Sequence, residues 1–181
     1  ISACLVGSEM CIRDSSNTHN LYAEFDTPVA GQNQTNVAYI SGYAPSTGTT
    51  IGAIAVGWTT SGVFFSVVTT NAPFNVASWP KTSINDVSLL DSFHLYTVTQ
   101  TGGNTYCYID GKLVGTITST PNYNDNDQIT INYTGFYDNY QVGPGFTIDE
   151  FQIFPSALSA QQVFELYQSI GIDGVTEGQA C

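Results

Sequence analysis

Short runs of β-branched and aromatic residues recur about every ten residues through the first four fifths of the chain, and Gly, Pro, Ser, Thr and Asn separate them. Runs of this composition between turn residues are typical of short β-strands. Many strands at this spacing favour an antiparallel sandwich or jelly roll. "TTSG", between Trp58 and Val63, predicts a hairpin. The predicted strands are Val37–Ala44, Ile51–Trp58, Gly62–Thr70, Gln128–Phe136 and Phe146–Phe154.

The clearest unit runs from His94 to Thr118 and predicts a three-stranded meander. Two tight turns divide it, at Gly102-Gly103 and at Asp110-Gly111, because Gly and Asp tolerate the positive φ that two-residue hairpins need. His94 lies inside this unit, and we interpret it as a structural residue.

One helix is predicted near the end of the chain, from Leu158 to Gln168. Ser159 is a favourable N-cap, and Gln162 three residues later completes a capping box. Leu158 and Val163 are placed to form a hydrophobic staple across the cap. Gly171 is expected to end the helix. The apolar stripe that should pack on the sandwich consists of Val163, Leu166, Tyr167 and Ile170.

The segment from Leu5 to Ser15 differs from the rest of the chain. Back-translated, Leu5–Asp14 resembles, codon for codon, one frame of a transposon adapter used in sequencing-library preparation, and Ser15 fits the next adapter bases. Such segments are excluded from fold reasoning, so we assign 1–15 as non-native and 16–181 as a single domain, truncated upstream, whose signal peptide could be missing. The alternative is an authentic N-terminal strand with a Cys4–Cys11 pair.

The charge of residues 16–181 limits the partners of this domain. Lys81 and Lys112 are the basic residues there, against thirteen acidic ones, which leaves a net charge of −11. Nucleic acid is excluded, since Lys and Arg provide the affinity for phosphates, and an anionic membrane surface is disfavoured for the same reason. Because no apolar run approaches the ~20 residues of a membrane span, no membrane insertion is expected. Neutral ligands, cations and basic partners remain.

Two cysteines, Cys107 and Cys181, lie in residues 16–181. Cys107 sits in a predicted strand, where a buried small apolar residue is the ordinary interpretation; pairing with Cys181 is the alternative. Two sequons, at Asn33 and Asn132, would permit N-glycosylation in a secretory route. Sequons also arise by chance in a chain rich in Asn and Thr.

Two segments carry a family resemblance. "FHLYTVTQTGGNTYCYIDGKLVGTIT" resembles the "WHxVAVT…GGTxxLYVDGKLVG" stretch of concanavalin A-like laminin G domains, and "IDEFQIFPSALSAQQVFELY" resembles their closing segment. The chain departs from the usual pattern at Phe93, Leu95 and Gln152. The resemblance implies a jelly roll of two antiparallel sheets with the short C-terminal helix packed on it. Its relatives include lectins, adhesion domains and glycosidases, so the fold does not decide the function.

Enzymes on this fold that resemble laminarinases carry "ExDxxE" on one strand, where alternation places the acids on one face. The nearest match here is "EFDTPV", from Glu24 to Val29, which lacks the last acid and contains Pro28, a residue that disturbs a central strand. "DEFQ", from Asp149 to Gln152, fails similarly. His19 and His94 offer no apparent nucleophile–base set, and no cluster of His and Cys suggests a metal centre. The sequence therefore predicts no enzyme.

The predicted turns are rich in residues that can bind sugars. Aromatic rings can stack on a sugar, and Asn, Asp and Gln can form hydrogen bonds with its hydroxyl groups. The densest cluster is Tyr137, Asp138, Asn139 and Tyr140, with Trp79 as a second stacking platform. The alternative is that these aromatics fill the core or cover its edges.

Calcium is the candidate cofactor, because loop carboxylates and amides supply its oxygen ligands. The candidate ligands are Asp125 and Asp127 in "NDND", Asp138, and Asp149, since related sandwiches hold a calcium with an Asp in their final strand. Alternatively, "NDND" is a solvated turn, and Asp149 forms a charge pair with Glu150 at a sheet edge.

The sequence thus predicts a non-catalytic, carbohydrate-binding module of a larger secreted or surface protein, extracellular or on a cell or virion surface. A structural or protein-adhesion module without sugar binding, with an extracellular protein as its partner, is the alternative, and a glycoside hydrolase is the least favoured.

Overall fold

The computed structural model describes residues 18–28, 36–43, 53–68, 80–119, 128–131 and 145–170. Ten strands and one helix lie in this part of the chain. In chain order they are β1 Thr18–Phe25, β2 Asn36–Tyr43, β3 Ala53–Thr59, β4 Gly62–Val68, β5 Lys81–Ile84, β6 Phe93–Thr101, β7 Asn104–Ile109, β8 Lys112–Ile117, β9 Gln128–Ile131, β10 Phe146–Phe154 and α1 Ala160–Ser169, with a 3-10 turn at Val87–Leu89.

The strands form two five-stranded sheets in which all paired neighbours run antiparallel. The strand order is β10-β1-β6-β7-β8 in the first sheet and β5-β4-β3-β2-β9 in the second. The predicted antiparallel β-sandwich with one short helix is therefore confirmed. Within the described residues, no helix is both long and apolar enough to cross a membrane.

The core lies between the two sheets, and Phe25 sits at its aromatic centre. Its ring stacks on Trp58 of the opposite sheet at 4.7 Å and on Tyr96 of the neighbouring strand at 4.7 Å. Stacked pairs of this kind add about 0.5–1.5 kcal/mol each beyond the burial of apolar area. Cys107 also lies in this core, as predicted, and burial raises the pKa of its thiol to about 12. Cys181 and residues 1–15 lie outside the described residues.

The predicted meander is confirmed as β6, β7 and β8. Its turns have positive φ at both central positions, 59° and 79° at Gly102-Gly103 and 50° and 73° at Asp110-Gly111. This is the type I′ geometry that matches the twist of paired strands. The hairpin predicted between Trp58 and Val63 is also confirmed, since Thr59 pairs with Gly62.

The helix α1 begins and is capped as predicted. The Ser159 side chain accepts from the Gln162 backbone, and the Gln162 side chain accepts from the Ser159 backbone N–H. Val163 is fully buried, while Leu166 and Tyr167 are half-buried. The helix packs against the Asp110-Gly111 turn, where Gly111 lies so close to Phe164 and Tyr167 that a Cβ atom would contact both. It ends at Ser169, so the expected stop at Gly171 lies outside the described residues.

The strand β1 is central in its sheet, between β6 and β10, and its polar residues are buried. Thr18 donates to the Ser156 carbonyl oxygen at 2.9 Å and accepts from the Leu158 backbone N–H at 2.9 Å. Asn20 accepts from the Thr97 hydroxyl at 2.6 Å. Because these bonds satisfy the polar side-chain atoms of Thr18 and Asn20, a strand that contains polar residues can occupy the centre of the sheet.

Candidate functional site

One end of the sandwich, here called the Phe25 end, is where β1 ends at Phe25, β3 ends at Thr59 and β10 begins at Phe146. The strands β1, β5 and β9 end there, and the strands β2, β6 and β10 that follow them in the chain begin there, because the paired strands run antiparallel. Loops at the end of a rigid sandwich are the usual location of binding residues in such folds.

A network of hydrogen bonds fixes the residues next to these strand ends. The indole N–H of Trp58 donates to the Asp26 carbonyl oxygen at 3.0 Å, and the Asp26 backbone N–H donates to the Gly145 carbonyl oxygen at 3.2 Å. The backbone N–H and the hydroxyl of Thr27 both donate to the carboxylate of Asp91, at 2.7 and 2.6 Å. These two bonds lower the pKa of Asp91 below its ordinary value. The core is thereby linked to Gly145, where the segment 132–144 rejoins the sandwich.

Most of the predicted site residues lie outside the described residues. These are Tyr137, Asp138, Asn139, Tyr140, Trp79, Asp125 and Asp127, together with the sequons at Asn33 and Asn132. Their described neighbours in the chain still carry information. Ile131 and Gly145, which flank the Tyr137–Tyr140 segment, lie at the Phe25 end, whereas Pro80 and Gln128 lie at the opposite end of the second sheet. Trp79 and Asp127 thus precede residues that lie at the end opposite Ile131 and Gly145.

Asp149 is the predicted metal ligand that the structure describes. It lies exposed on β10, at the irregularity of the β1–β10 pairing next to Tyr22. Its charge, after burial, is the second cause that raises the pKa of the Tyr22 hydroxyl. Within the described ranges, no group of three or more His, Cys, Asp or Glu side chains is arranged to hold a metal ion.

The acids of "EFDTPV" separate in the structure. Glu24 is half-buried on β1, but the strand ends at Phe25, so Asp26 already belongs to the connection that follows. The backbone N–H and carbonyl of Asp26 are both used in the network described above. These two residues therefore do not form the alternating row of carboxylates on one strand that glycosidases of this fold use.

His94 has partners that the sequence analysis did not foresee. Its Nδ1 lies 2.7 Å from the Asp110 carboxylate, and its Nε2 lies 2.9 Å from the Ser92 hydroxyl oxygen. The hydrogen bond to Asp110 is the largest cause that raises the pKa of the imidazole, and burial opposes it. These contacts do not test the expectation that His94 belongs to no nucleophile–base set. His94 ties the start of β6 to the Asp110-Gly111 turn, as a structural residue would.

The sequence contains a signal for this contact. A two-residue turn at Gly102-Gly103 fixes the register of β6 against β7, with Thr101 opposite Asn104 and Tyr96 opposite Ile109. Counting outward from the turn places Asp110 beside Leu95, whose backbone N–H it accepts at 3.0 Å, and next to His94. Once the turn is assigned, the pairing follows from the alternation of residues along the hairpin.

A family model described as the concanavalin A-like lectin/glucanases superfamily matches residues 22–164. No curated protein sequence matches the chain.

Solved structures share the fold at low identity. A native heptameric SAP-like pentraxin from Limulus polyphemus matches with a TM-score of 0.57 and 14% identity, over 84% of this chain and 70% of the pentraxin chain. A structure of botulinum neurotoxin type C, whose cell entry depends on interaction with two ganglioside molecules, gives 0.55 and 20%, over 86% of this chain and 36% of the toxin chain. A Trypanosoma rangeli sialidase gives 0.56 and 12%, over 87% and 23%. The chain thus spans well under half of the toxin and sialidase chains.

Proposed function

This chain belongs to the concanavalin A-like lectin/glucanases superfamily, and we propose that its domain is a module that binds carbohydrate at the Phe25 end and does not hydrolyse it. The observation that carries the proposal is the network that joins Trp58, Asp26 and Gly145. The network connects Trp58 in the core to Gly145, the residue that lies between β10 and the segment containing Tyr137 and Tyr140.

The chemistry of that segment suits a sugar. Tyrosine rings offer flat apolar faces with a polar edge, and Asp138 and Asn139 between them supply acceptors and donors for hydroxyl groups. The chain has few basic residues and a net negative charge, which disfavours anionic ligands of high charge density. The toxin among the structural neighbours, whose cell entry depends on interaction with two ganglioside molecules, supports a ligand of this kind.

The module acts outside the cell or on a cell or virion surface, as part of a larger protein. Calcium, where it binds, takes its ligands from Asp138, Asp125 or Asp127 in addition to Asp149, because the described residues alone hold no cluster for it. Glycosylation at Asn33 and Asn132 belongs to the same proposal.

A glycan array with the full 181-residue chain tests the proposal, run once with calcium and once with EDTA. We expect saturable binding to one class of sugar, and at least a tenfold loss of affinity for Tyr137→Ala and for Tyr140→Ala. Tyr106→Ala is the matched control, since Tyr106 is half-exposed on β7 and pairs with Thr99, near the opposite end. A blank array in both buffers, from protein shown to be folded by circular dichroism, would refute sugar binding.

A protein-adhesion module is the second candidate, and one described surface favours it. Leu113 is 54% exposed on β8, and Phe164 is 38% exposed on α1, on either side of Gly111. The strand β8 is the last strand of its sheet in the described part of the chain, and an edge strand beside exposed apolar side chains is suited to contacts with another protein. Sedimentation velocity tests whether this surface binds a second copy of the chain. Concentration-dependent association that Leu113→Ser abolishes supports adhesion, and a monomer at all concentrations speaks against self-association.

A further inference from the structure

Ser92, His94 and Asp110 form a continuous chain of hydrogen bonds that the carbohydrate site does not use. The serine hydroxyl oxygen is 2.9 Å from Nε2 of the imidazole, and Nδ1 is 2.7 Å from the carboxylate. A nucleophile, a base and a carboxylate that orients the base stand in the same relation in acyl-transfer enzymes of unrelated folds. From this arrangement we infer that Ser92 is an activated serine that accepts the acyl group of ester substrates.

The direction of the hydrogen bonds supports this role. When the imidazole is neutral, Nδ1–H donates to Asp110, so Nε2 has a free lone pair and acts as an acceptor. The alternative acceptor for the Ser92 hydroxyl is the Ser88 carbonyl oxygen, at the longer distance of 3.4 Å. In that neutral tautomer the Ser92 hydroxyl donates to Nε2, as general-base catalysis requires. When the imidazole is protonated, Nε2–H is a donor and the hydroxyl donates to the Ser88 carbonyl oxygen instead.

The three side chains are both fixed and accessible. The second carboxylate oxygen of Asp110 accepts from the Leu95 backbone N–H, which holds the carboxylate in place. Side-chain exposures of 18% for His94 and 24% for Asp110, and the partial exposure of Ser92, leave the chain of bonds open to solvent on one side.

The residue before the serine adds an independent feature. Asp91 has a φ of 57°, a left-handed conformation in a residue other than glycine, and its two bonds from Thr27 hold it there. Asp adopts this conformation in ordinary turns, as Asp110 does at a φ of 50°, so what the two bonds contribute is a fixed backbone immediately before Ser92.

The reaction has two steps. The Ser92 oxygen attacks the ester carbonyl carbon while its proton moves to Nε2 of His94. The tetrahedral centre then collapses and breaks the bond to the alcohol oxygen, which takes that proton and leaves as the free alcohol. In the second step, water gives a proton to Nε2, attacks the acyl-serine carbonyl, and releases the carboxylic acid and the serine hydroxyl.

A fluorophosphonate probe tests the first step directly, because the serine oxygen displaces fluoride from phosphorus and leaves a stable adduct. The full chain is treated with the probe, and the adduct is located by intact mass and peptide mapping. We expect one adduct, on Ser92, that is absent from Ser92→Ala and unchanged in Ser61→Ala, which removes an exposed serine of the β3–β4 turn at the same end. With p-nitrophenyl acetate on the same variants, a burst of p-nitrophenolate reports the first step, and the steady release that follows the burst reports turnover through the second step.

Two positioning variants separate an activated serine from a merely accessible one. His94→Gln should slow labelling by about 10²–10⁴-fold, the range for a general base. Asp110→Asn should also slow it and shift the pH at which labelling rises toward lower values. The charged groups that act on His94 are the carboxylates of Asp110 and Asp86, and the Tyr96 ring lies at its edge. Circular dichroism of each variant confirms that it is folded.

No adduct on the folded chain, or an adduct on Ser92 whose rate is the same in folded His94→Gln, would overturn the inference. Either result would leave His94 and Asp110 as a structural tie. The glycan array on Ser92→Ala is independent of this outcome, so failure here and failure of sugar binding are distinguishable.

Discussion

Replacement of Gly111 by Ala tests how strongly the helix depends on the meander turn. Gly111 has a φ of 73°, and a Cβ atom there would lie 3.1 Å from the Phe164 side chain and 3.2 Å from that of Tyr167. The left-handed conformation costs an L-residue about 1–2 kcal/mol. Displacement of a packed neighbour adds about 1–3 kcal/mol. We therefore expect Gly111→Ala to lower the free energy of unfolding by about 2–5 kcal/mol.

Gly103→Ala is the matched control for this change. Gly103 holds the second position of the other type I′ turn, at a φ of 79°, and nothing lies within 4 Å of a Cβ atom built there. It should therefore lose the conformational part alone, about 1–2 kcal/mol. Urea unfolding followed by far-UV circular dichroism measures both losses, and each kcal/mol corresponds to about 2–4 °C in Tm for a domain of this size. Equal losses in the two variants would refute the packing of α1 against the turn.

Three further predictions concern His94, Cys107 and the first fifteen residues. Because Asp110 raises the pKa of His94 above its unfolded value, the pairing stabilises the fold fully below about pH 6.5 and loses this effect as pH rises through the folded pKa. Asp110→Asn should therefore destabilise the protein more at pH 5.5 than at pH 8.5, and an equal urea midpoint shift at both pH values would contradict this. Cys107, with a pKa raised to about 12, should resist iodoacetamide at pH 8 until urea unfolds the chain, as peptide mapping would show. Deletion of residues 1–15 should leave Tm unchanged, and a loss of several degrees would show that this segment belongs to the fold.

The elements that the sequence predicted well are those whose determinants are local. Both type I′ turns depend on glycines in the turns themselves, and the capping box of α1 involves residues three apart. Some predicted strand ends were less accurate: β2 begins at Asn36 and not at Val37, and β3 ends at Thr59 and not at Trp58. The predicted ends at Ile51 and Thr70 lie outside the described residues. Strand ends depend on the partner strand, which the local pattern does not contain.

The strands β1 and β5 were not predicted as strands, for different physical reasons. The strand β5 is four residues long, too short for a pattern. The strand β1 has the alternation of a strand, with Leu21, Ala23 and Phe25 in the core, but also the buried polar residues Thr18 and Asn20. The partners that make their burial favourable lie far along the chain, Ser156 for Thr18 and Thr97 for Asn20. Local composition predicts exposure for such residues, and only the tertiary pairing makes a central strand of them.

The same distinction separates the two candidate sites. The Tyr137–Tyr140 cluster was visible in the sequence because its residues are adjacent, but adjacency does not establish which end of the sandwich they occupy. The described residues on either side of it in the sequence, Ile131 and Gly145, lie at the Phe25 end. For Ser92, His94 and Asp110 the reverse holds: the residues are ordinary one by one, and the hairpin register brings them together. A single turn, once assigned, would have predicted that contact. A hairpin register can bring polar residues side by side that are far apart in the sequence. Such residues form a candidate cluster, which the interpretation of one histidine by itself misses.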